Sequence, residues 1–263
     1  MVFGFGTKRR RERLRKQPFP QAWRAIVERN LPVFRRLPAA DQTELLGHVQ
    51  VFLAEKHFEA SGGLEMTDEI RVTIAAQACM LLLHRETDYY PELTSIIVYP
   101  SGYTAYEQRP IGGWIWEEGG QERLGHTARE LRAMVLAWDA AKQGAADPGD
   151  GRNLVLHEFA HQLDFENLAA DGTPELQTRG AYVAWARVMS AELRALRHAD
   201  DAGLPTVLDT YGATNPAEFF AVATEAFFEL PRALQERHPD LFRELREFYR
   251  QDPTTYSTEP QPG

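Results

Sequence analysis

Apolar residues recur at helical spacing through two early segments, Gln21–Arg29 and Ala39–Glu55, where Trp23, Ile26, Leu45, Leu46, Val49 and Phe52 mark the repeating faces. That period predicts two helices, with Pro32 and Pro38 as punctuation between them. Ser61-Gly62-Gly63 reads as a turn. Thr67, followed by Asp68 and Glu69, has the form of a helix start: a hydroxyl cap with two acids in the first turn. The helix it opens is expected to run to about His84. From Val72 to Leu83 it is apolar almost throughout apart from Gln77, which places it in the core.

Near Glu92 the texture changes. Thr94–Tyr99 is rich in β-branched residues and stops at Pro100, so it reads as a strand; Gly113–Trp116 and Ala133–Trp138 are further strand candidates. Gly144–Arg152 is a loop by composition. From Asn153 onward the pattern is mainly helical, interrupted by loops at Ala169–Pro174 and Ala199–Asn215. Past Asp252 the chain holds Pro, Thr, Ser and Gln, a composition that predicts disorder. The expected fold class is α+β: a helical N-terminal part, a small mixed sheet and a helical C-terminal part. The expected division is a basic arm over 1–20, one domain over 21–252 (helical over 21–92, catalytic over 93–252) and a disordered tail over 253–263.

Composition narrows the function classes. A chain of 263 residues can build a sizeable core without disulfides. A net charge of −9 argues against general nucleic-acid affinity, which needs a basic surface. One local exception stands out, since seven of the nine residues Lys8–Lys16 are Lys or Arg. Such a run is either a solvated N-terminal helix or a docking arm for an acidic partner. The single cysteine, Cys79, excludes an intramolecular disulfide and a multi-cysteine zinc site, and its apolar neighbours make it a core residue. No apolar run reaches the roughly 18 residues of a membrane helix, and no apolar segment follows the basic start as in an export signal. A cytoplasmic location without membrane attachment is expected.

The chemistry gathers at His157-Glu158-Phe159-Ala160-His161. On a helix, positions four apart lie on one face, one turn apart in height, so two imidazoles can converge on one zinc ion. Glu158 projects beside them and can reach water at the metal without ligating it, the place for a general base. Asn153 offers an N-cap, and Leu154, Val155, Leu156, Phe159, Ala160 and Leu163 make the helix apolar nearly all round. Histidines and an acid within a buried helix must be paired or bound to metal, because unpaired polar burial is costly. Asp164, seven residues after His157, either accepts the free ring N–H of a ligand histidine or is a plain aspartate of the last turn.

A catalytic zinc usually takes a third protein ligand. Downstream, Asn215 followed by Pro216 is a strong helix start. Glu218 then lies in the first turn, and Glu225 shares its face seven residues later. Asn215-x-x-Glu218 also has the form of a capping box, in which Glu218 would fold back on the Asn215 N–H. Spacing alone leaves Glu218, Glu225 and the cap as open alternatives.

The segments HEFAHQLD and YGATNPAEFFAVATEAFFE together resemble the Mlc titration factor A family of bacterial zinc peptidases, and over these two segments are similar to the catalytic domain of anthrax lethal factor. The resemblance to the family extends over most of the chain, including Arg71–Leu83 and Val135–Trp138. It implies a zincin-like metallopeptidase fold with one zinc ion held by His157, His161 and Glu218. It further implies Glu158 as catalytic base, Tyr211 facing the developing oxyanion and Glu225 as a carboxylate behind the ligands, and it leaves Glu229 ambiguous. A peptide substrate would lie along an exposed strand edge, for which Met134–Trp138 is the candidate. Two roles follow: an aminopeptidase or short-peptide hydrolase, and a regulatory protein that captures the glucose-responsive repressor Mlc, relieving repression of sugar-uptake genes. In the second reading the zinc site is mainly structural or vestigial.

Overall fold

The computed structural model describes residues 5–101, 132–147, 149–167 and 169–256. The strand candidate at 113–116 lies outside them. Contacts divide the chain into two compact units, one spanning Met1–Leu83 and Leu93–Ala146, the other His84–Glu92 and Asp147–Gly263. The sequence predicts one domain over 21–252, helical over 21–92 and catalytic over 93–252; the unit boundaries fall at 83/84, 92/93 and 146/147.

In the first unit the basic arm is helix α1 (Phe5–Arg15). It is pinned to α3 (Ala39–Glu55) by Arg11, whose Nε and Nη2 donate to the two Glu55 carboxylate oxygens at 3.0 and 2.9 Å. Between them runs α2 (Gln21–Asn30). Helix α4 (Asp68–Met80) begins as expected, with Thr67 Oγ1 accepting the Ile70 N–H, and its residues from Val72 to Met80 are all buried. Two polar side chains on it find partners in the core. Thr73 Oγ1 accepts from Asn30 Nδ2 at 2.8 Å, and Gln77 Nε2 donates to the Ala141 carbonyl of α5 (Trp138–Ala146) at 3.0 Å. Burial pushes the Cys79 thiol up, in keeping with a core residue.

The sheet has the order β1 (His57–Ala60), β2 (Ser95–Tyr99), β3 (Ala133–Ala137). Both pairings are parallel, His57 opposite Ser95 and Ser95 opposite Ala133, so among the described residues the sheet is parallel and not mixed. The parallel step from β1 to β2 requires a crossover, and α4 supplies it. Ile96, Val98, Met134 and Leu136 turn to the core, as alternation predicts. The candidate substrate strand is β3, at the sheet edge among the described residues; it stops at Ala137, and Trp138 opens α5, which carries helix three residues into the expected loop at 144–152.

The second unit is helical. Its elements are α6 (Leu154–Asp164), α7 (Arg179–Asp201), α8 (Pro216–Glu229), α9 (Pro231–Arg237) and α10 (Pro239–Tyr249). Tyr90 packs edge-on against Phe159 of α6, ring centroids 4.8 Å apart. An aromatic cluster locks α7, α8 and α10: Trp185 meets Phe220 and Phe248 at 5.5 Å each, and Phe227 stacks on Tyr249. Edge and offset contacts of this kind add to the area they bury. Thr224 Oγ1 and the Tyr249 hydroxyl hydrogen-bond at 2.8 Å inside it. The expected tail does not begin at 253. Pro253–Thr255 forms a 3-10 turn, and buried Tyr256 donates to Gln251 Oε1 at 2.9 Å.

Gly172 sits where the loop after α6 meets the start of α8. Its φ is +74°, and a Cβ there would overlap the Pro216 carbonyl. Its N–H donates to Asp164 Oδ2 and its carbonyl accepts the Trp185 indole N–H, both at 2.9 Å. Gly172→Ala combines a left-handed backbone with a clash against rigid backbone. It is expected to lower unfolding free energy by about 2 kcal/mol or more, measurable by urea or thermal unfolding, whereas Gly63→Ala, with the same hand of φ but open space around it, is expected to cost less.

Candidate metal centre

Helix α6 starts where Asn153 Oδ1 accepts the Leu156 N–H at 3.0 Å. Val155, Leu156, Phe159, Ala160 and Leu163 surround the axis with buried apolar surface. His157, Glu158 and His161 are buried with them, at 7%, 7% and 4% exposure. Helix α8 opposes α6. It starts where Asn215 Oδ1 accepts the Glu218 N–H at 3.0 Å, so half of the capping box is present. The Glu218 carboxylate is directed to the other helix: its Oε2 lies 3.0 Å from His157 Nε2 and 3.3 Å from His161 Nε2.

The side-chain donor atoms of His157, His161 and Glu218 all lie within 4.8 Å of one another. Ligands about 2.0 Å from a tetrahedral zinc are separated by about 3.3 Å, close to the 3.0 and 3.3 Å between Glu218 and the two imidazoles. Two imidazole nitrogens and one carboxylate is a donor set suited to zinc. The three expected ligand residues are therefore brought together, on a geometry that fits the ion.

Glu225, one face-repeat along α8, takes the far side of His157: its Oε1 lies 2.7 Å from His157 Nδ1, and its Oε2 accepts the Asn153 backbone N–H. That choice fixes which ring nitrogen of His157 faces Glu218. The carboxylate considered for this task on α6 itself, Asp164, is turned elsewhere. Its Oδ2 accepts the Gly172 N–H, and burial, partly offset by that bond, raises it to about 6. Tyr211 lies in a 3-10 turn capped by Asp209, whose Oδ1 accepts the Tyr211 N–H at 2.9 Å. Its ring centroid is 6.1 Å from that of His157, and its side chain hydrogen-bonds to Glu218.

Two residues that the sequence names, Asn153 as a cap and Glu229 as ambiguous, meet in a contact that it does not give. Asn153 is more than a cap: its Nδ2 donates to Glu229 Oε1 at 3.0 Å. The signal for Glu229 was present: Glu218, Glu225 and Glu229 sit at i, i+7 and i+11, on one face of an otherwise apolar helix.

The electrostatics follow from burial against pairing. Burial alone would lower His157, but the hydrogen bonds of Glu218 and Glu225 win and raise it to about 10. Burial would raise Glu218, but the two imidazoles hold it well below the usual carboxylate range. Glu158 is pushed up by burial, against the pull of both histidines. Burial and the charge of Glu218 push the Tyr211 hydroxyl up. Burial, opposed by the Asn153 hydrogen bond and reinforced by the charges of Asp150 and Glu225, lifts Glu229 to about 9.

A carboxyl raised on folding binds its proton more tightly in the native state, so its contribution is full below its unfolded pKa and is lost as pH rises through the folded one. For Glu229 that window runs from about 4.5 to about 9. Glu229→Gln keeps an acceptor for Asn153 and removes the titration. In thermal unfolding it is expected to gain on the wild type at pH 8 to 9 and to match it near pH 4.5, so equal curves at both ends would contradict the buried, protonated state.

Comparison with known proteins places this geometry. Residues 6–250 match the family model described as glucose-regulated metallo-peptidase M90. An uncharacterised protein of Synechocystis sp. is 38% identical over 93% of this chain and 89% of its own length. Mlc titration factor A of Klebsiella pneumoniae is 30% identical over 85% of this chain and 84% of its own, and the Salmonella typhi protein of that name is 28% identical over the same shares. With a match over nearly the whole length, this α+β chain belongs to the glucose-regulated metallo-peptidase M90 family.

Proposed function

We propose that the chain is a zinc-dependent peptidase acting on short peptides, in the manner of an aminopeptidase, with His157, His161 and Glu218 as the metal ligands and one zinc ion per chain. The observation that carries this reading is the convergence of both imidazoles on one Glu218 oxygen at 3.0 and 3.3 Å. When bound, zinc supplies Lewis acidity, polarising a carbonyl and making hydroxide available near neutral pH.

The remaining chemistry belongs to the chain. Glu158 is next to a ligand, buried, and raised in pKa, so it is suited to take a proton from attacking water and pass it to the leaving amine. Tyr211 stays protonated at any working pH, and its hydroxyl is suited to donate to the oxyanion, where charge develops only in the transition state. Glu225 holds the His157 ring by its Nδ1 and favours the tautomer that leaves Nε2 free for a metal.

A second role is supported by the name that several relatives carry, Mlc titration factor A: capture of an Mlc-like repressor, on a surface separate from the catalytic groups. No helix among the described residues is long and apolar enough to cross a membrane; the repressor-capture role would place the protein in the cytoplasm.

Metal analysis separates the candidate ligands. The wild type is expected to retain zinc near one equivalent, and Glu218→Ala to lose it. Glu225→Ala is expected to bind it about 10- to 100-fold more weakly. Zinc retained by Glu218→Ala would exclude that residue as a ligand. Glu158→Gln is expected to keep zinc and to lower peptide hydrolysis by about 10²- to 10⁴-fold, while capture of an Mlc-like repressor persists. Undiminished turnover in Glu158→Gln would remove the assigned base, and simultaneous loss of capture would show that the two roles share one surface.

A further inference from the structure

Asn153 joins three hydrogen-bonding groups. Its Oδ1 caps α6 through the Leu156 N–H, its Nδ2 donates to Glu229 Oε1 at 3.0 Å, and its backbone N–H donates to Glu225 Oε2. The other oxygen of Glu225 holds His157 Nδ1. The residue is extended, with φ −143° and ψ 100°, and only 4% exposed. Capping alone would not call for asparagine. Serine and aspartate cap as well or nearly so, but serine has only one short hydroxyl to serve both partners and aspartate has no N–H to give Glu229. The arrangement uses the one common cap that accepts at one end and donates at the other.

We propose that Asn153 is a positioning residue of the metal centre: Glu229 anchors its amide, the anchored residue aims its own N–H at Glu225, and Glu225 thereby holds the His157 ring in the orientation that ligation needs. The chain of contacts runs between the same two helices that supply the ligands, so it ties the start of α6 to the last turn of α8 while Glu218 ties the middle of α6 to the first turn. Glu229 is the terminal anchor and does not reach the ligands; its Oε2 is buried and has no hydrogen-bond partner among the described residues, which leaves Asn153 as its one side-chain contact of this kind. The inference rests on the metal-centre reading above and adds to it a residue outside the ligand set.

The test is zinc affinity of the metal-free protein, measured by competition with a chelating dye, together with the imidazole Nδ1 proton resonance of His157. Asn153→Ser retains a cap and is expected to weaken zinc binding about tenfold and to shift or broaden that resonance, with little change in melting temperature. Asn153→Asp, compared above pH 9 where Glu229 is ionised, is expected to weaken it further, and adding Glu229→Gln to Asn153→Asp reverses donor and acceptor in the same hydrogen bond and should recover affinity. A cap with no positioning role predicts wild-type affinity in Asn153→Ser and no recovery in the double variant; either result overturns the proposal. Should Asn153→Ser fail to fold, Glu229→Leu leaves the cap in place and is expected to weaken zinc binding in the same way, and unchanged affinity there is equally fatal. A wild-type protein that takes up no zinc would overturn the metal centre itself, a failure seen before any variant is compared.

Discussion

The facing surfaces of α6 and α8 bury two imidazoles and four carboxylates inside an otherwise apolar pair of helices. Burial at this density is tolerable only where charge and hydrogen-bonding capacity are matched group by group, since an isolated charge in such surroundings costs several kcal/mol. The structure meets that constraint unevenly. His157 is flanked on both nitrogens by acids, and Glu218 is held ionised by two rings. Glu158 and Glu229 are pushed toward their neutral forms. One buried cluster thus holds carboxyls in different protonation states, and that separation suits a site in which one acid ligates, another moves a proton and a third only anchors.

The surroundings keep the two helices from sliding. Gly172 fits against the first residue of α8, where no side chain can be admitted, and its carbonyl is tied to Trp185. Trp185 in turn belongs to the aromatic cluster joining α7, α8 and α10. A core of interlocked rings resists small displacements, because close packing transmits them instead of absorbing them. A ligand cage with contacts near 3 Å needs that rigidity, and sites borne on packed helices hold such tolerances better than sites borne on loops. Tyr211 is the exception, carried by a 3-10 turn, though Asp209 ties that turn down from within and bonds to Arg152 beside the start of α6.

Membership of the M90 family and the internal chemistry point the same way by separate routes. The family match covers residues 6–250 and therefore both units. The cage is assembled wholly within the second. The first unit, with its buried α4 and parallel sheet, carries none of the groups in the cage; it accounts instead for the exposed cations of α1, which sit on a helix fastened through Arg11 to Glu55 and not on a free arm.

Local chemistry was readable from the chain alone. The spacing of His157 and His161, the caps at Thr67, Asn153 and Asn215, and the β-branched run of β2 each depend on neighbours a few residues away, and the structure has them all. Strand β1 was missed because His57-Phe58-Glu59-Ala60 is short, half polar and lacks β-branched residues; only pairing with β2 makes it a strand. Tyr256 was missed because its burial comes from contacts that composition does not record. The assignment of acids was the deeper limit. Helical period puts Glu218, Glu225 and Glu229 on one face, but which of them meets an imidazole, which meets Asn153 and why Asp164 turns to Gly172 depend on the rotation and axial offset of α8 against α6. Those two quantities are set by the packing of side chains remote in sequence, so the tertiary structure alone decides them.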